Sequence, residues 1–202
     1  MWGGKAPAVN EAFKSTRILV GITGGIAAYK ACTLVSRLVQ AGADVTVAMT
    51  DGATKFVTPL TFQALSGKQV FTSAWDHMGE GGAGAADPQH IALARSLAAA
   101  IIAPCTMDCL ARLATGRADD AVTLILSAID RARTPVLLAP AMNAAMWAQP
   151  ATQRNLATLR ADGFTIVGPN EGWQACRTSG PGRMSEPEEL FDALARAVPP
   201  RA

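Results

Sequence analysis

The stretch RILVGITGGIAAYKACTLVSRLVQAGADVTVAMT, residues 17–50, decides the fold. It begins with an almost wholly apolar run at Arg17–Ile22 and ends with another at Asp44–Thr50. Such runs are typical of parallel strands that are buried on both faces of a sheet. Between them, apolar residues recur at helical spacing on one face, at Ala27, Ala31, Leu34, Val35 and Leu38. The helical pattern stops at Gly42, a residue suited to the left-handed position after a helix, so the stretch predicts a strand–helix–strand unit.

The same alternation continues along the chain and predicts one domain over residues 16–198. Further apolar runs predict strands at Ala99–Ala103, Pro135–Ala139 and Phe164–Val167, with helix-length segments between them. Alternating strands and helices imply right-handed crossovers, and therefore an α/β fold with one doubly wound parallel sheet and helices on both faces. Ligands of such folds bind beyond the carboxyl ends of the strands. Outside the domain pattern, residues 1–15 are predicted to be a loose arm, residues 79–88 a mobile loop and residues 199–202 a tail.

Composition narrows the class of protein. The 202 residues are 50% hydrophobic and 17% charged with a formal net charge of +2, which excludes disordered and fibrous chains and disfavours nucleic acid or an anionic membrane as a partner. The N-terminus lacks the apolar core of a signal peptide, and the longest apolar run, Leu97–Cys105, is too short to span a bilayer. Four cysteines do not suggest a disulfide framework in a chain of this size. A cytoplasmic protein with reduced thiols is expected.

The turn after the first strand is the first candidate binding site. In GITGGIAAYK, Gly24 and Gly25 let the backbone approach a ligand closely, and the helix that follows directs its free N–H groups there. A phosphate suits such a turn, and Thr50 at the end of the second strand could add a hydroxyl. The alternatives are a purely structural connection for the glycines and a simple helix cap for Thr50.

Four later segments complete a pattern that resembles the flavin-containing cysteine decarboxylase family. They are DPQHIALAR (87–95), APCTMDCLARLATGRADD (103–120), APAMNAAMW (139–147) and ACRTSGPGRM (175–184). The resemblance covers about residues 17–187 and is strongest to the coenzyme A branch of the family. It implies a flavodoxin-like (Rossmann-like) fold that binds FMN and forms a homotrimer, or a dodecamer of trimers, with active sites at subunit boundaries. A separate phosphopantothenate–cysteine ligase is a further expected partner.

The resemblance also implies roles for individual residues. Contact with FMN is implied for Gly24, Gly25, Ile26, Thr50, Asp51, Gly52, Phe56, Thr106, Met107, Asp108, Cys109 and Ala141. Contact with substrate is implied for Ala141, Met142, Asn143, Met146, Arg177, Gly182, Arg183 and Met184. Catalytic roles are implied for His90 and Cys176. The chain departs from the usual family pattern at Arg177, where a glycine is common, and at Cys105, Met107 and Asp108.

The implied reaction removes CO2 from the cysteine part of 4′-phosphopantothenoylcysteine and yields 4′-phosphopantetheine. A flavin takes hydride from the sulfur-bearing carbon, so that the electron pair left by CO2 delocalises onto sulfur as an enethiolate. His90 would assist thiol deprotonation, Asn143 would donate to the carboxylate, and Cys176 would donate the proton when the enethiol is reduced.

Each of these side chains also has a purely structural interpretation. His90 could be a solvent-facing histidine at a helix start, Asn143 a helix cap and Cys176 a buried structural cysteine. A metal site at Cys105 and Cys109 is disfavoured, since the sequence offers no second Cys/His pair, and none is expected.

Other functions are compatible with parts of the pattern. The first is a peptidyl-cysteine decarboxylase of ribosomal peptide maturation, which would need His90 and Asn143 but not Cys176. The second is a non-catalytic FMN-binding regulatory subunit, a class that usually carries long acidic extensions. The third is a flavin prenyltransferase, which would leave the segment ACRTSGPGRM without a role.

Overall fold

One parallel sheet forms the centre of the molecule. The computed structural model describes residues 13–75 and 89–198, and in them five strands lie in the order β2-β1-β3-β4-β5. The strands are β1 Arg17–Ile22, β2 Asp44–Met49, β3 Ala99–Cys105, β4 Val136–Pro140 and β5 Thr165–Ile166. All neighbouring pairs are parallel. This strand order is that of flavodoxin-like doubly wound proteins, so the predicted fold class is confirmed.

β1 spans the predicted residues Arg17–Ile22, and each of the other strands differs from its predicted bounds by one or two residues at one or both ends. β2 ends at Met49 because Thr50 already caps the next helix, and β3 extends through Cys105 rather than ending at Ala103. β4 is shifted by one residue, to Val136–Pro140. β5 has only two residues, and Thr165 is exposed, because this strand lies at the edge of the sheet.

Helices connect the strands and cover both faces of the sheet. Their bounds are α1 Ala28–Gln40, α2 Asp51–Thr54, α3 Pro59–Ser66, α4 Gln89–Ser96, α5 Met107–Ala114, α6 Ala121–Ser127, α7 Ala144–Ala148, α8 Pro150–Ala161 and α9 Pro187–Ala197. Within the described ranges, none of them has the length and apolar character needed to cross a bilayer.

The core has two halves, one on each face of the sheet. Alternate strand residues point to opposite faces, so Ile18 and Val20 pack under α1, α3 and α9, while Leu19 packs under helices of the other face. That second face is covered by α4, α5, α6 and α8. The predicted helical stripe is confirmed, since Ala31, Leu34, Val35 and Leu38 are buried in α1, although Ala27 is only its N-cap. Gly42 follows the helix with φ of +83°, as the pattern predicts.

Phe13 corrects the predicted N-terminal arm. The side chain is fully buried and packs edge-to-face on Phe191 of α9, with ring centroids 5.0 Å apart. The backbone N–H of Ser15 also donates to the Gly42 carbonyl at 3.0 Å. Residues 13–15 therefore belong to the domain, contrary to the prediction of a loose arm through residue 15. The predictions for residues 1–12, the loop 79–88 and the tail 199–202 lie outside the described residues.

A small hairpin stands at the carboxyl edge of the main sheet. Its antiparallel strands are β6 Asn170–Trp173 and β7 Ser179–Arg183. The sequence predicts only a loop here, because the segment is rich in Gly and Pro and contributes little to the core. The turn between the strands, residues 174–178, carries Cys176.

Candidate active site

A cavity of about 1110 Å³ opens beyond the carboxyl ends of the strands, where doubly wound folds bind ligands. Its wall combines the turn after β1, the start of α5, the segment after β4 and the hairpin. The predicted site residues that line it are Gly24, Gly25, Ile26, Thr50, Asp51, Gly52, Thr106, Asp108, Cys109, Ala141, Met142, Asn143, Met146, Cys176, Gly182, Arg183 and Met184. The fold thus brings together segments that are up to about 160 residues apart in sequence.

Four predicted site residues lie elsewhere. Phe56 follows α2 with 49% of its surface exposed, Met107 begins α5 beside the cavity, and Arg177 is exposed on the hairpin turn with φ of +64°. His90 lies in the first turn of α4, a helix that leads into the start of β3. None of the four is among the described residues that line this chain's cavity.

The glycine turn fits closely against the neighbouring loop. A Cβ atom on Gly24 would lie 2.9 Å from the carbonyl carbon of Gly52, so two backbones meet there without room for a side chain. Gly25 differs, because a Cβ atom there would make only ordinary contacts, the nearest at 3.5 Å to Thr106. The two glycines therefore differ: Gly24 permits the close approach of two loops, whereas packing alone does not require a glycine at Gly25 on the cavity wall.

Thr23, which sequence reasoning missed, joins the ends of β1 and β3. The side chain is buried, and Oγ1 lies 2.7 Å from the carbonyl oxygen of Pro104. Thr23 Oγ1 also accepts the backbone N–H of Thr106 at 3.0 Å. Thr106 in turn caps α5, and its Oγ1 accepts from Cys109 N–H at 3.3 Å. A threonine directly after a buried strand was the available signal, but its partners lie more than 80 residues away.

Thr50 and Asn143 are both helix caps. Thr50 Oγ1 accepts from the Ala53 N–H at 3.3 Å, and Asn143 Oδ1 accepts from the Met146 N–H at 2.8 Å. The alternative interpretation as caps is therefore correct, and it remains compatible with a binding role. Each cap uses an acceptor oxygen, so the hydroxyl hydrogen of Thr50 and the amide hydrogens of Asn143 are the donor groups that these side chains still offer.

Two charge clusters flank the cavity. Arg112 of α5 bonds Asp108 at 2.8 Å and also contacts Asp119 and, at 3.7 Å, Asp120. These aspartates make this side of the wall acidic. A hydrogen bond from Arg117, followed by the charge of Arg112, lowers the pKa of Asp119. Sequence reasoning missed Arg112, Asp119 and Asp120, although the Asp–x3–Arg spacing was visible.

The second charge cluster directs two basic side chains, Lys30 and Arg183, to the cavity wall. Lys30 of α1 donates to both carboxylate oxygens of Glu186, at 2.9 and 3.0 Å, and Arg183 contacts the same carboxylate. Lys30 and Arg183 line the cavity. Glu186 is the N-cap of α9, and the hydrogen bond from Lys30 lowers the pKa of its carboxyl. Lys30 was not predicted, because its role depends on a partner 156 residues away.

Cys176 is exposed on the hairpin turn, as its polar neighbours predict. Its Sγ lies 3.0 Å from Thr178 Oγ1 and 3.6 Å from Gln174 Oε1. Cys105 and Cys109 are buried instead, and burial raises the pKa of the Cys105 thiol well above its ordinary value. In residues 13–75 and 89–198, no group of three or more His, Cys, Asp or Glu side chains is arranged to hold a metal ion.

The arrangement is suited to a phosphorylated, partly apolar ligand beside a thiol and an amide. Backbone N–H groups and hydroxyls lie at the glycine turn, where phosphates commonly bind. Apolar surface from Ala141, Met142 and Met146 follows, and Asn143 and Cys176 face the same space. A reacting group placed between them would meet a hydrogen-bond donor and a proton donor.

Comparison with known proteins agrees with this geometry. The coenzyme A biosynthesis bifunctional protein CoaBC of Haemophilus influenzae is 50% identical over 177 residues, which cover 88% of this chain and 42% of that protein. CoaBC of Escherichia coli is 46% identical over 87% of this chain and 41% of that protein. The chain thus spans about two fifths of the length of these curated relatives.

Solved structures give the same picture over nearly whole chains. A PPC decarboxylase mutant complexed with pantothenoylaminoethenethiol superimposes with a TM-score of 0.79 at 28% identity, covering 90% of this chain and 97% of that one. The FMN-dependent cysteine decarboxylase SpaF gives 0.75 at 30% identity, covering 91% and 95%. The family model described as Flavoprotein matches residues 8–198. This chain therefore belongs to the flavoprotein family.

Proposed function

We propose that the chain is an FMN-dependent carboxy-lyase that converts 4′-phosphopantothenoylcysteine to 4′-phosphopantetheine in coenzyme A biosynthesis. The observation that carries the proposal is the meeting of Gly24, Thr106, Asn143 and Cys176 around one cavity. These residues come from four of the five segments that resemble the cysteine decarboxylases. The similarity to CoaBC proteins and to PPC decarboxylase supports the same substrate.

The residues present fit FMN. The glycine turn at Gly24 and Gly25 and the hydroxyl of Thr50 suit its phosphate, and Ile26 and Ala141 offer apolar surface for a ring system. A volume of about 1110 Å³ leaves room for a substrate beside the cofactor. Bound FMN would supply a reversible two-electron acceptor, which makes C–C cleavage beside a thiol-bearing carbon feasible.

Asn143 is suited to bind the substrate carboxylate. Its Oδ1 is fixed by the helix cap, so its amide hydrogens have a defined direction. A neutral donor holds a carboxylate without a full countercharge, and it therefore opposes the loss of charge as CO2 leaves less than a cation would. The hairpin lines the cavity on this side and adds to the wall around the reacting carbons.

Cys176 is suited to deliver the last proton. In the overall reaction one C–C bond breaks, CO2 leaves, and the proton that replaces it on carbon comes from the Sγ–H of Cys176. The resulting thiolate takes a proton back from water. The hydrogen-bond partners of the thiol, Gln174 and Thr178, are neutral groups that are compatible with a protonated donor.

His90 and the assembly are proposed together. His90 would assist deprotonation of the substrate thiol from a neighbouring subunit, since it does not line the cavity of its own chain. A homotrimer, or a dodecamer of trimers, with sites at subunit boundaries would allow this. We further propose a cytoplasmic location and a separate phosphopantothenate–cysteine ligase as the supplier of substrate.

A peptidyl-cysteine decarboxylase is the second candidate, favoured by the likeness to SpaF.

The decisive experiment mixes the purified protein with 4′-phosphopantothenoylcysteine or with a peptide ending in cysteine and measures CO2 release. We expect a yellow protein with a flavin spectrum and CO2 release from the first substrate. A protein that stays colourless after addition of FMN, or that acts only on the peptide, would contradict it.

A further inference from the structure

Gln174 is a buried amide in an otherwise exposed turn. Only 8% of its surface is accessible, whereas the four residues after it are all exposed. Its Nε2 donates to the carbonyl oxygens of Gly180, at 3.2 Å, and Pro181, at 2.7 Å. Its Oε1 accepts from the Ala144 N–H at 3.2 Å and from the Cys176 thiol at 3.6 Å. A side-chain amide has two donor hydrogens and two acceptor lone pairs, so all four are used.

These bonds connect Cys176 to the end of the sheet that carries Asn143. Ala144 is the first residue of α7, directly after the Asn143 cap. A second contact fixes the same hairpin, because the Met142 N–H donates to the Gly182 carbonyl at 3.0 Å. The approach is so close that a Cβ atom on Gly182 would lie 2.2 Å from the Met142 carbonyl oxygen. The base of the hairpin is therefore held by the Gly182 contact, and its turn is held by Gln174.

The backbone of Gln174 also closes the turn around Cys176. Its N–H donates to the Thr178 carbonyl at 2.8 Å, and its carbonyl accepts from the Arg177 N–H at 2.9 Å. Arg177 takes a positive φ of 64° inside this turn. The position of the thiol, the closure of the turn and the link from the turn to α7 thus all depend on Gln174, which does not itself react.

We propose that Gln174 is the positioning residue that holds the Cys176 thiol beside Asn143 for proton delivery. This inference rests on the proposed function, because it assigns Gln174 to the last step of that reaction. In this step bound FMN would supply the two electrons that reduce the sulfur-bearing carbon of the enethiol, and the neighbouring carbon would take its proton from the Sγ–H of Cys176. Loss of Gln174 would displace the proton donor and leave the earlier cleavage of CO2 intact.

The test compares FMN-loaded wild type with Gln174→Met, and with Gln153→Met as a matched control. Gln153 also bonds α7 by its amide, to the Trp147 carbonyl at 2.7 Å, but from the opposite end. For Gln174→Met we expect CO2 release to continue while the ratio of phosphopantetheine to enethiol falls about 10- to 100-fold, as expected for a displacement of about 1 Å. A purely structural defect would lower both products together. The Gln153→Met variant is expected to keep the wild-type ratio.

A second readout does not depend on turnover. Iodoacetamide modification of Cys176, followed by peptide mass spectrometry, is expected to be about threefold or more faster in Gln174→Met, because the thiol has lost its acceptor and the turn has lost its side-chain bonds to α7 and β7. If wild type releases no CO2, the proposed function fails, and the alkylation comparison still decides the role of Gln174. An unchanged product ratio together with an unchanged alkylation rate would overturn the inference.

Ala144→Pro is the alternative variant for the alkylation test if Gln174→Met does not fold. Proline is tolerated at the first position of a helix, and it removes the N–H that bonds Gln174 Oε1. The same acceleration of Cys176 alkylation is expected. A wild-type alkylation rate in this variant would overturn the link between α7 and the thiol.

Discussion

Gly24→Ala and Gly25→Ala should separate packing of the glycine turn from ligand binding. A methyl group on Gly24 would lie 2.9 Å from the Gly52 carbonyl carbon and 3.0 Å from its Cα. Both are backbone atoms, so the loop after β2 must move as a whole. Overpacking of this kind costs about 1–3 kcal/mol. In a chain of this size that corresponds to a fall in melting temperature of about 2–12 °C.

Gly25→Ala is the matched control within the same turn. The added methyl would make only ordinary contacts, at 3.5 and 3.8 Å, and Gly25 is not among the residues with positive φ. We therefore expect its stability to stay within about 1 kcal/mol of wild type. The methyl would however occupy cavity wall where a phosphate is proposed to bind, so FMN affinity is expected to fall.

The assay combines thermal unfolding, followed by circular dichroism, with FMN titration by fluorescence quenching. The expected pattern is a lower melting temperature for Gly24→Ala and weaker FMN binding at nearly normal stability for Gly25→Ala. Equal destabilisation by the two substitutions would refute the assignment of close packing to Gly24. Unchanged FMN affinity in Gly25→Ala would refute a cofactor phosphate at this wall.

Three further predictions concern single side chains. Asn143→Asp keeps a capping oxygen, so we expect its melting temperature to stay at the wild-type value. Its turnover is expected to fall about 100-fold, because the new carboxylate repels the carboxylate of the substrate. Normal turnover would show that Asn143 has no role in the reaction. Cys176→Ala is expected to release CO2 and accumulate the oxidised enethiol product, seen by mass spectrometry, and formation of phosphopantetheine at the normal rate would exclude Cys176 as proton donor. Glu186 has a lowered pKa in the fold because of Lys30, so its contribution to stability is complete above the unfolded pKa of about 4.3 and is lost as the pH falls below it. Glu186→Gln should therefore flatten the dependence of melting temperature on pH in the acidic range, and an unaltered slope would show that the ion pairs contribute nothing.

Much of the fold was predictable because the sheet is buried on both faces. β1 and β3 are continuous apolar runs, and α1 displays its buried stripe at helical spacing. Strand ends were less certain, since a cap such as Thr50 ends a strand through its own hydrogen bond rather than through its polarity. Phe13 was missed because a single buried side chain before the first strand has no periodic pattern around it.

Site residues could be predicted from the sequence where they belong to a recognisable motif. They could not be predicted where their role depends on a partner that is distant in the sequence. Gly24, Asn143 and Cys176 belong to segments with a recognisable pattern, and all line the cavity. Thr23, Lys30 and Gln174 gain their roles from Pro104, Glu186 and Ala144, which only the folded chain brings near. His90 stays a prediction, since the cavity of its own chain does not include it.

Among the residues that the structure describes, each basic side chain on the cavity wall contacts a carboxylate: Lys30 and Arg183 share Glu186, and Arg112 contacts Asp108, Asp119 and Asp120. Lys30 and Arg183 keep one excess positive charge beside Glu186, whereas three aspartates outnumber Arg112 in the other cluster. The two clusters therefore oppose each other, and long-range attraction contributes little to the capture of a phosphorylated ligand. Ionic strength acts mainly on such long-range attraction, whereas hydrogen bonds from a turn and a hydroxyl are short-ranged and directional. The selection of a ligand at this wall therefore depends on the shape of the wall and on the positions of its hydrogen-bond donors. Added salt is expected to change ligand binding little.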